Sequence, residues 1–172
     1  MTIRSKLMLA IAAVALGTTS VAAAPVSSST PPAGRALLLI PLTLTKIDDL
    51  SFGSVVPSPV SGSVVINATT GLRTVIGGLT AMPSDIGQRA RFAGAGSPSQ
   101  QVLITVTAPA ALTSIAGDTL TVLALTLDGP PVRSIHPVDR TFFFGVGGII
   151  QVAANQPEGV YTSDYDVTAN YL

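Results

Sequence analysis

The 172-residue chain has no cysteine and no tryptophan, a single histidine, and few charges: 10% of its residues are Asp, Glu, Lys or Arg. Each shortage excludes something. Without cysteine there is no disulfide staple and no thiolate zinc site, so the fold must hold by packing, strand pairing or assembly. One histidine without cysteine cannot build a zinc site of the usual kind. Nine basic residues balance nine acidic ones, and no basic patch is present to neutralise phosphates, so a nucleic-acid partner is not expected. Aromatic residues make up 5% of the chain, which is thin equipment for stacking on sugars. No stretch keeps a helical apolar period over three turns, which argues against a helical fold.

What is present begins with a processing signal. Arg4 and Lys6 precede an apolar run, Leu7 to Leu16, and small residues (TTSVAAAP) follow. This pattern predicts a secretory signal peptide over residues 1–23, cleaved between Ala23 and Ala24, with Val21 and Ala23 at the small-residue positions. The apolar run is too short to span a membrane. Loss of Arg4 and Lys6 with the leader leaves seven basic and nine acidic residues. The remaining chain is long enough for one domain with a real core. No later apolar run approaches a spanning helix, so no integral membrane span is expected after cleavage. A chain that is 47% hydrophobic with so few charges has less charged surface than a free monomer usually carries. Part of its apolar surface is expected to be kept for a partner.

Residues 24–35 (APVSSSTPPAGR) are Ser- and Pro-rich without a period and read as a flexible or extended arm. From Ala36 to Leu172 the signals are those of strands. "ALLLIPLTLTK" places Leu38, Ile40, Leu42 and Leu44 on one face, and Pro41 marks an edge, a bulge or an interruption. Strands are predicted over 63–67, 72–79, 90–96, 101–107, 119–127 and 141–152, the last broken by glycines at bulges. Turns fall at Thr70–Gly71, Ser97–Pro98, Asp128–Gly129–Pro130–Pro131 and 155–159. Strands every 8–15 residues with Gly/Pro turns between them predict an all-β antiparallel sandwich, with a barrel as the alternative.

Catalysis needs a constellation, and none is evident. His136 sits in a Pro-flanked loop, "PVRSIHPVD", and no Gly-x-Ser-x-Gly elbow accompanies it. Asp48–Asp49 and Asp164/Asp166 are the acidic clusters, and they read as solvated faces without EF-hand spacing. "GVGG" (145–148) and "GG" (77–78) lack the Lys and the following helix of a phosphate loop. No catalytic, metal or cofactor residues are assigned, and the chain reads as a non-enzyme that needs no cofactor.

The sharpest signal is the last stretch, "GVYTSDYDVTANYL" (159–172). Tyr161, Ser163, Tyr165, Val167, Ala169 and Tyr171 alternate with polar residues without a break, which predicts an amphipathic strand. This stretch resembles the C-terminal motif of chaperone–usher pilus subunits, with Gly159 fourteenth from the end and Tyr171 penultimate. More widely, residues 36–172 resemble domain-of-unknown-function family 4402 (DUF4402), an exported, pilin-like bacterial family. The stretches that carry this are "LTLTKIDDLSFGSVVP", "GLRTVIGGLT", "FGVGGIIQVAANQPEGVYT" and "YDVTANY".

The resemblance implies an immunoglobulin-like sandwich that is incomplete and is completed by a donor strand. A periplasmic chaperone would lend a strand first, and at an outer-membrane usher the arm of the next subunit would replace it. Gly159 would then allow close backbone approach. Tyr161, Tyr165, Val167, Ala169 and Tyr171 would line the partner-binding edge, and the chaperone would hold the Leu172 carboxylate. The disulfide common in familiar pilins is missing, and "APVSSSTPPAGR" lacks a donor's alternation. Leu38, Ile40, Leu42 and Leu44 are therefore either donor or first strand. The function expected is an exported structural subunit of a surface fibre, passing through the periplasm to the cell surface, self-associating or joined to other fibre subunits, with a role in adhesion. The alternatives are a self-complete secreted sandwich that binds a surface protein or glycan, and a secreted hydrolase.

Overall fold

The structure, a computed structural model, describes residues 29–31 and 33–172. The predicted leader and the beginning of the arm lie outside these residues. The chain divides into two units at Leu37/Leu38. The described residues up to Leu37 form neither strand nor helix.

From Leu38 onward the described residues are all-β, with antiparallel pairing throughout. The strands are β1 (Thr43–Asp48), β2 (Val55–Val56), β3 (Gly62–Ile66), β4 (Arg73–Gly77), β5 (Thr80–Ala81) and β6 (Ala90–Ala95). They continue as β7 (Gln101–Thr107), β8 (Ala111–Thr113), β9 (Thr119–Leu127), β10 (Val132–Ser134), β11 (Thr141–Val152) and β12 (Asp166–Tyr171). A seven-stranded sheet runs β1-β6-β11-β3-β4, with β9 also on β11 and β8 on β9. A three-stranded sheet runs β10-β7-β12, and β2 pairs with β5.

The alternation in β7 shows how sequence becomes layer. Val102 and Ile104 are buried and Val106 packs beside them, while Gln101, Leu103, Thr105 and Thr107 face outward. From the larger sheet Phe92, Phe142 and Phe144 meet these residues in one core. Their rings stack, with centroids 5.1 Å apart for Phe92–Phe144 and 6.3 Å for Phe142–Phe144. Two inner faces sharing a core make a sandwich. A second cluster gathers Val64, Leu120, Ile150 and Val152. Neither cluster contains a charge, and each buried aliphatic or Phe side chain stabilises the fold by about 1.5–3 kcal/mol.

The glycines of β11 do not bulge it. The strand runs continuously from Thr141 to Val152, and the register shift lies opposite, in β9, where Leu123 is the extra residue between Val122 and Ala124. Residues 148–151 pair with β3 and β9 at once, so β11 is interior there. The glycines serve close approach instead: a Cβ on Gly147 would stand 2.2 Å from the Ile66 carbonyl oxygen. Gly94 is required the same way, since a Cβ there would lie 2.1 Å from the ring of its cross-strand partner Phe142.

The strand expected from Ala36 starts later. β1 begins at Thr43, after Pro41, and pairs only with β6 at the sheet edge. Pro41 has no N–H to give a ladder, and it ends the pairing there. Leu42 and Leu44 pack on the main core, whereas Leu38 is 87% and Ile40 45% exposed. The four residues expected on one face are therefore split between core and surface.

Candidate functional site

The sandwich has two open edges on one side. β1 ends the larger sheet and β12 ends the smaller one, each paired with a single neighbour. Between them lies a cleft of about 1110 Å³ that reaches the core, lined by Leu44 and Phe92 from one sheet and Val167 from the other. Phe52, Leu120, Ile150 and Tyr161 extend the apolar lining to the second cluster.

The phase of β12 decides what its edge presents. The Leu172 N–H donates to the Gln101 carbonyl at 3.1 Å, and the register with β7 is constant from Asp166 to Tyr171. In an antiparallel pair, bonded and non-bonded positions alternate. Asn170, Thr168 and Asp166 therefore bond to β7, and the main-chain groups of Val167, Ala169 and Tyr171 point to the open edge. The same residues turn their side chains to the core, where Tyr165, Val167, Ala169 and Tyr171 all pack. Backbone donors and acceptors at an edge beside apolar side chains are what an added strand engages.

The strand is shorter than the alternation suggested. It covers Asp166–Tyr171, and upstream of it a lone bridge joins Thr162 to Thr113. The reason lies in the partner: β7 ends at Thr107, opposite Asp166, and Pro109 follows. Proline cannot continue the ladder. Residues 160–165 instead run along the cleft wall.

Each aromatic in this stretch has a distinct environment. Tyr171 Oη accepts the Ser97 N–H at 2.7 Å and donates to the Ile40 carbonyl at 2.9 Å. Ser97 Oγ accepts the Ile40 N–H at 2.9 Å, so both main-chain groups of Ile40 are fixed to the body. Tyr161 Oη donates to the Pro157 carbonyl at 2.7 Å and accepts from Gln156 Nε2 at 3.0 Å. Tyr165 Oη is buried with no hydrogen-bond partner among the described residues. Burial, and secondarily the Asp49 carboxylate, push its pKa up to about 12. Gly159 is not crowded: a Cβ would meet Ser114 at 3.6 Å and Tyr161 at 3.8 Å. Its φ of 158° rather than a close contact within the chain favours glycine. Leu172 is exposed.

The cleft rim is acidic. Asp49, Asp85, Glu158, Asp164 and Asp166 line it with Lys46 as the cation among them, and Lys46 is ion-paired to Asp49. Asp164 and Asp166 are exposed, on the solvent side of the amphipathic pattern. Asp48 pairs with Arg91. His136 lies in the loop before β11, where its Nδ1 accepts the Asp139 N–H at 3.1 Å. Among the described residues no group of three His, Asp or Glu side chains is placed to hold a metal ion, and no helix is long and apolar enough to cross a membrane.

Residues 42–171 match the model of the family described as "Domain of unknown function (DUF4402)". The chain belongs to that family. No curated protein and no solved structure matches it. In this DUF4402 domain the matched stretch begins at Leu42, the first apolar residue after Pro41 that packs on the core. Sequence reasoning missed Ser97, Phe52 and Arg73. Ser97 meets Ile40 from 57 positions away, and nothing local in the sequence marks that pairing.

Proposed function

We propose that this DUF4402 domain is an exported structural subunit of a bacterial surface fibre, assembled by strand addition at β12. The observation that carries the reading is the cleft between β1 and β12 that reaches the core, with the unpaired main chain of Val167 on its wall. A strand entering there would gain ladder hydrogen bonds and bury apolar side chains against both core clusters. An edge left bare beside an open core invites aggregation, so the reading calls for a periplasmic chaperone in transit and an outer-membrane usher at assembly. Adhesion is the biological role such a fibre would serve. The predicted signal peptide over residues 1–23 supports the export step.

The test is electron microscopy and size-exclusion chromatography of the native surface fraction. Fibres or high-mass assemblies that contain the chain are expected. A chain found only as a monomer that unfolds reversibly would sink the reading and favour a self-complete binding module.

A further inference from the structure

The free edges of the two larger sheets are guarded unequally. β1 carries Lys46 and Asp48 and follows Pro41, β10 carries Arg133 between Pro131 and Pro137, and β12 carries Asp166 with Asp164 just before it. β8 is three residues long, and Thr162 bridges its free side. Charge, proline and cover are devices that stop an edge from pairing with another chain. β4 has none of them. It contains no proline, and its one charge, Arg73, is bound to the carbonyls of Phe52, Ser54, Met82 and Asp85. We propose that β4 is a self-pairing edge, which joins the larger sheets of two copies of this chain antiparallel about Val75.

The phase of β4 shows what its edge offers. The Asn67 N–H donates to the Leu72 carbonyl at 3.0 Å and the Gly78 N–H to the Ser61 carbonyl at 3.4 Å, one at each end of the β3–β4 ladder. The register is constant between them, so Thr74 and Ile76 bond to β3, and the main-chain groups of Arg73, Val75 and Gly77 point to the open side. The N–H and C=O of Val75 have no hydrogen-bond partner among the described residues. Leu72, Thr74 and Ile76 turn to the outer face, where Leu72 is 68% and Ile76 58% exposed. Val65 on β3 and Ile149 on β11 extend that apolar strip across the sheet.

Symmetry and charge select the register. Two identical antiparallel strands pair about a two-fold axis, and such a contact closes at two copies. With Val75 opposite Val75 of the second copy, Arg73 faces Gly77 at each end and the five residues of β4 overlap completely. A slip that centres on Arg73 would set two guanidiniums opposite each other and carry Ile76 and Gly77 past the end of the other strand. In the Val75 register Thr74 lies opposite Ile76 of the second copy, and Leu72 lies diagonal to that same Ile76, so the exposed apolar side chains cover one another. Residues 72–77 hold no carboxylate and no cation besides Arg73, so the seam brings no like charges together. β4 and β1 are opposite ends of the β1-β6-β11-β3-β4 path. The contact therefore leaves the cleft free and does not rest on the strand-addition reading. In a fibre it would tie neighbouring fibres side by side.

The chain has no cysteine, so the register can be read by cross-linking. Chains from Ala24 carrying Thr74→Cys are mixed with chains carrying Ile76→Cys and mildly oxidised. We expect a disulfide-linked pair, because the Val75 register sets these positions directly opposite, with about 4.5 Å between Cα atoms. Either variant oxidised alone should yield at least about tenfold less, since like positions then stand diagonally. About a tenfold excess of wild-type chain should suppress the cross-link by mass action. The same excess of a Thr74→Lys/Ile76→Lys chain should not, because it sets ammonium groups along the seam. Circular dichroism should show all variants folded, since both side chains are exposed. Equal cross-linking whichever position carries the cysteine, equal suppression by the double Lys variant, or no cross-link at all would overturn the proposal.

Discussion

Tyr165 is the least comfortable residue of the cleft. Its hydroxyl is buried without a partner among the described residues, and its pKa is pushed up to about 12, by burial first and by Asp49 second. The unfolded tyrosine ionises near pH 10. The folded state therefore favours the neutral phenol. The stability this contributes is intact below about pH 10 and is lost as pH rises through 12. The loss is on the order of 2 kcal/mol, trimmed because the side chain is only partly buried. Denaturant midpoints measured from pH 8 to 12 should fall across that window, and Tyr165→Phe should flatten the fall. At pH 7 the same variant should stabilise the lone chain by about 1 kcal/mol, since it removes an unpaired buried hydroxyl.

Arg73 is the opposite case, a cation whose donors are well used. Its Nη1 reaches the carbonyls of Asp85 (2.7 Å), Ser54 (3.0 Å) and Phe52 (3.5 Å), and Nη2 reaches that of Met82 (2.7 Å). One side chain thus ties two loops, around residues 52–54 and 82–85, to β4. The fork geometry is what permits it, and a lysine would place a single ammonium there. Arg73→Ala should cost about 2–3 kcal/mol in urea unfolding. Arg73→Lys should recover only part of that.

Among the elements, β12 and β1 show how far pattern reading goes. The inward face of β12 was legible from alternation alone, and Val167, Ala169 and Tyr171 do face the core. Its length was not, because the extent of a strand depends on where its partner stops. β7 stops before Pro109, and no feature between 159 and 166 records that. β1 repeats the lesson at the other end. Leu38, Ile40, Leu42 and Leu44 share a period of two, yet Pro41 separates those in the core from those in water. β6 tests the glycine argument: Gly94→Val should cost about 3 kcal/mol or more in thermal or urea unfolding, because Phe142 of β11 covers that site and cannot give way without leaving the core. Gly159→Ala, whose Cβ would make only ordinary contacts with Ser114 and Tyr161, should cost much less, through its φ alone.

At the scale of the molecule, the open side of the sandwich dominates. The core reached through the cleft is apolar and continuous with both clusters, so an inserted strand would complete it. Binding to the folded state alone raises stability by mass action. On the strand-addition reading, a synthetic peptide of residues 24–46 should raise the melting temperature of the isolated chain in proportion to the logarithm of its concentration. Val167→Asp should abolish that rise, because it puts a charge in the apolar wall. Differential scanning fluorimetry at several peptide concentrations reads both.

By itself the sequence determined the class of fold, since a period of two punctuated by Gly and Pro leaves the backbone little but antiparallel sheet. It determined the inward faces of β7 and β12 for the same reason, and the absence of a disulfide because there is no cysteine. Only the tertiary structure decided which strands stand at the edges, that β1 and β12 flank one cleft, and that Ser97 and Tyr171 clasp Ile40. Those outcomes depend on contacts between residues 57 to 131 positions apart. Local periodicity records which way a side chain turns; it does not record what waits on the other side.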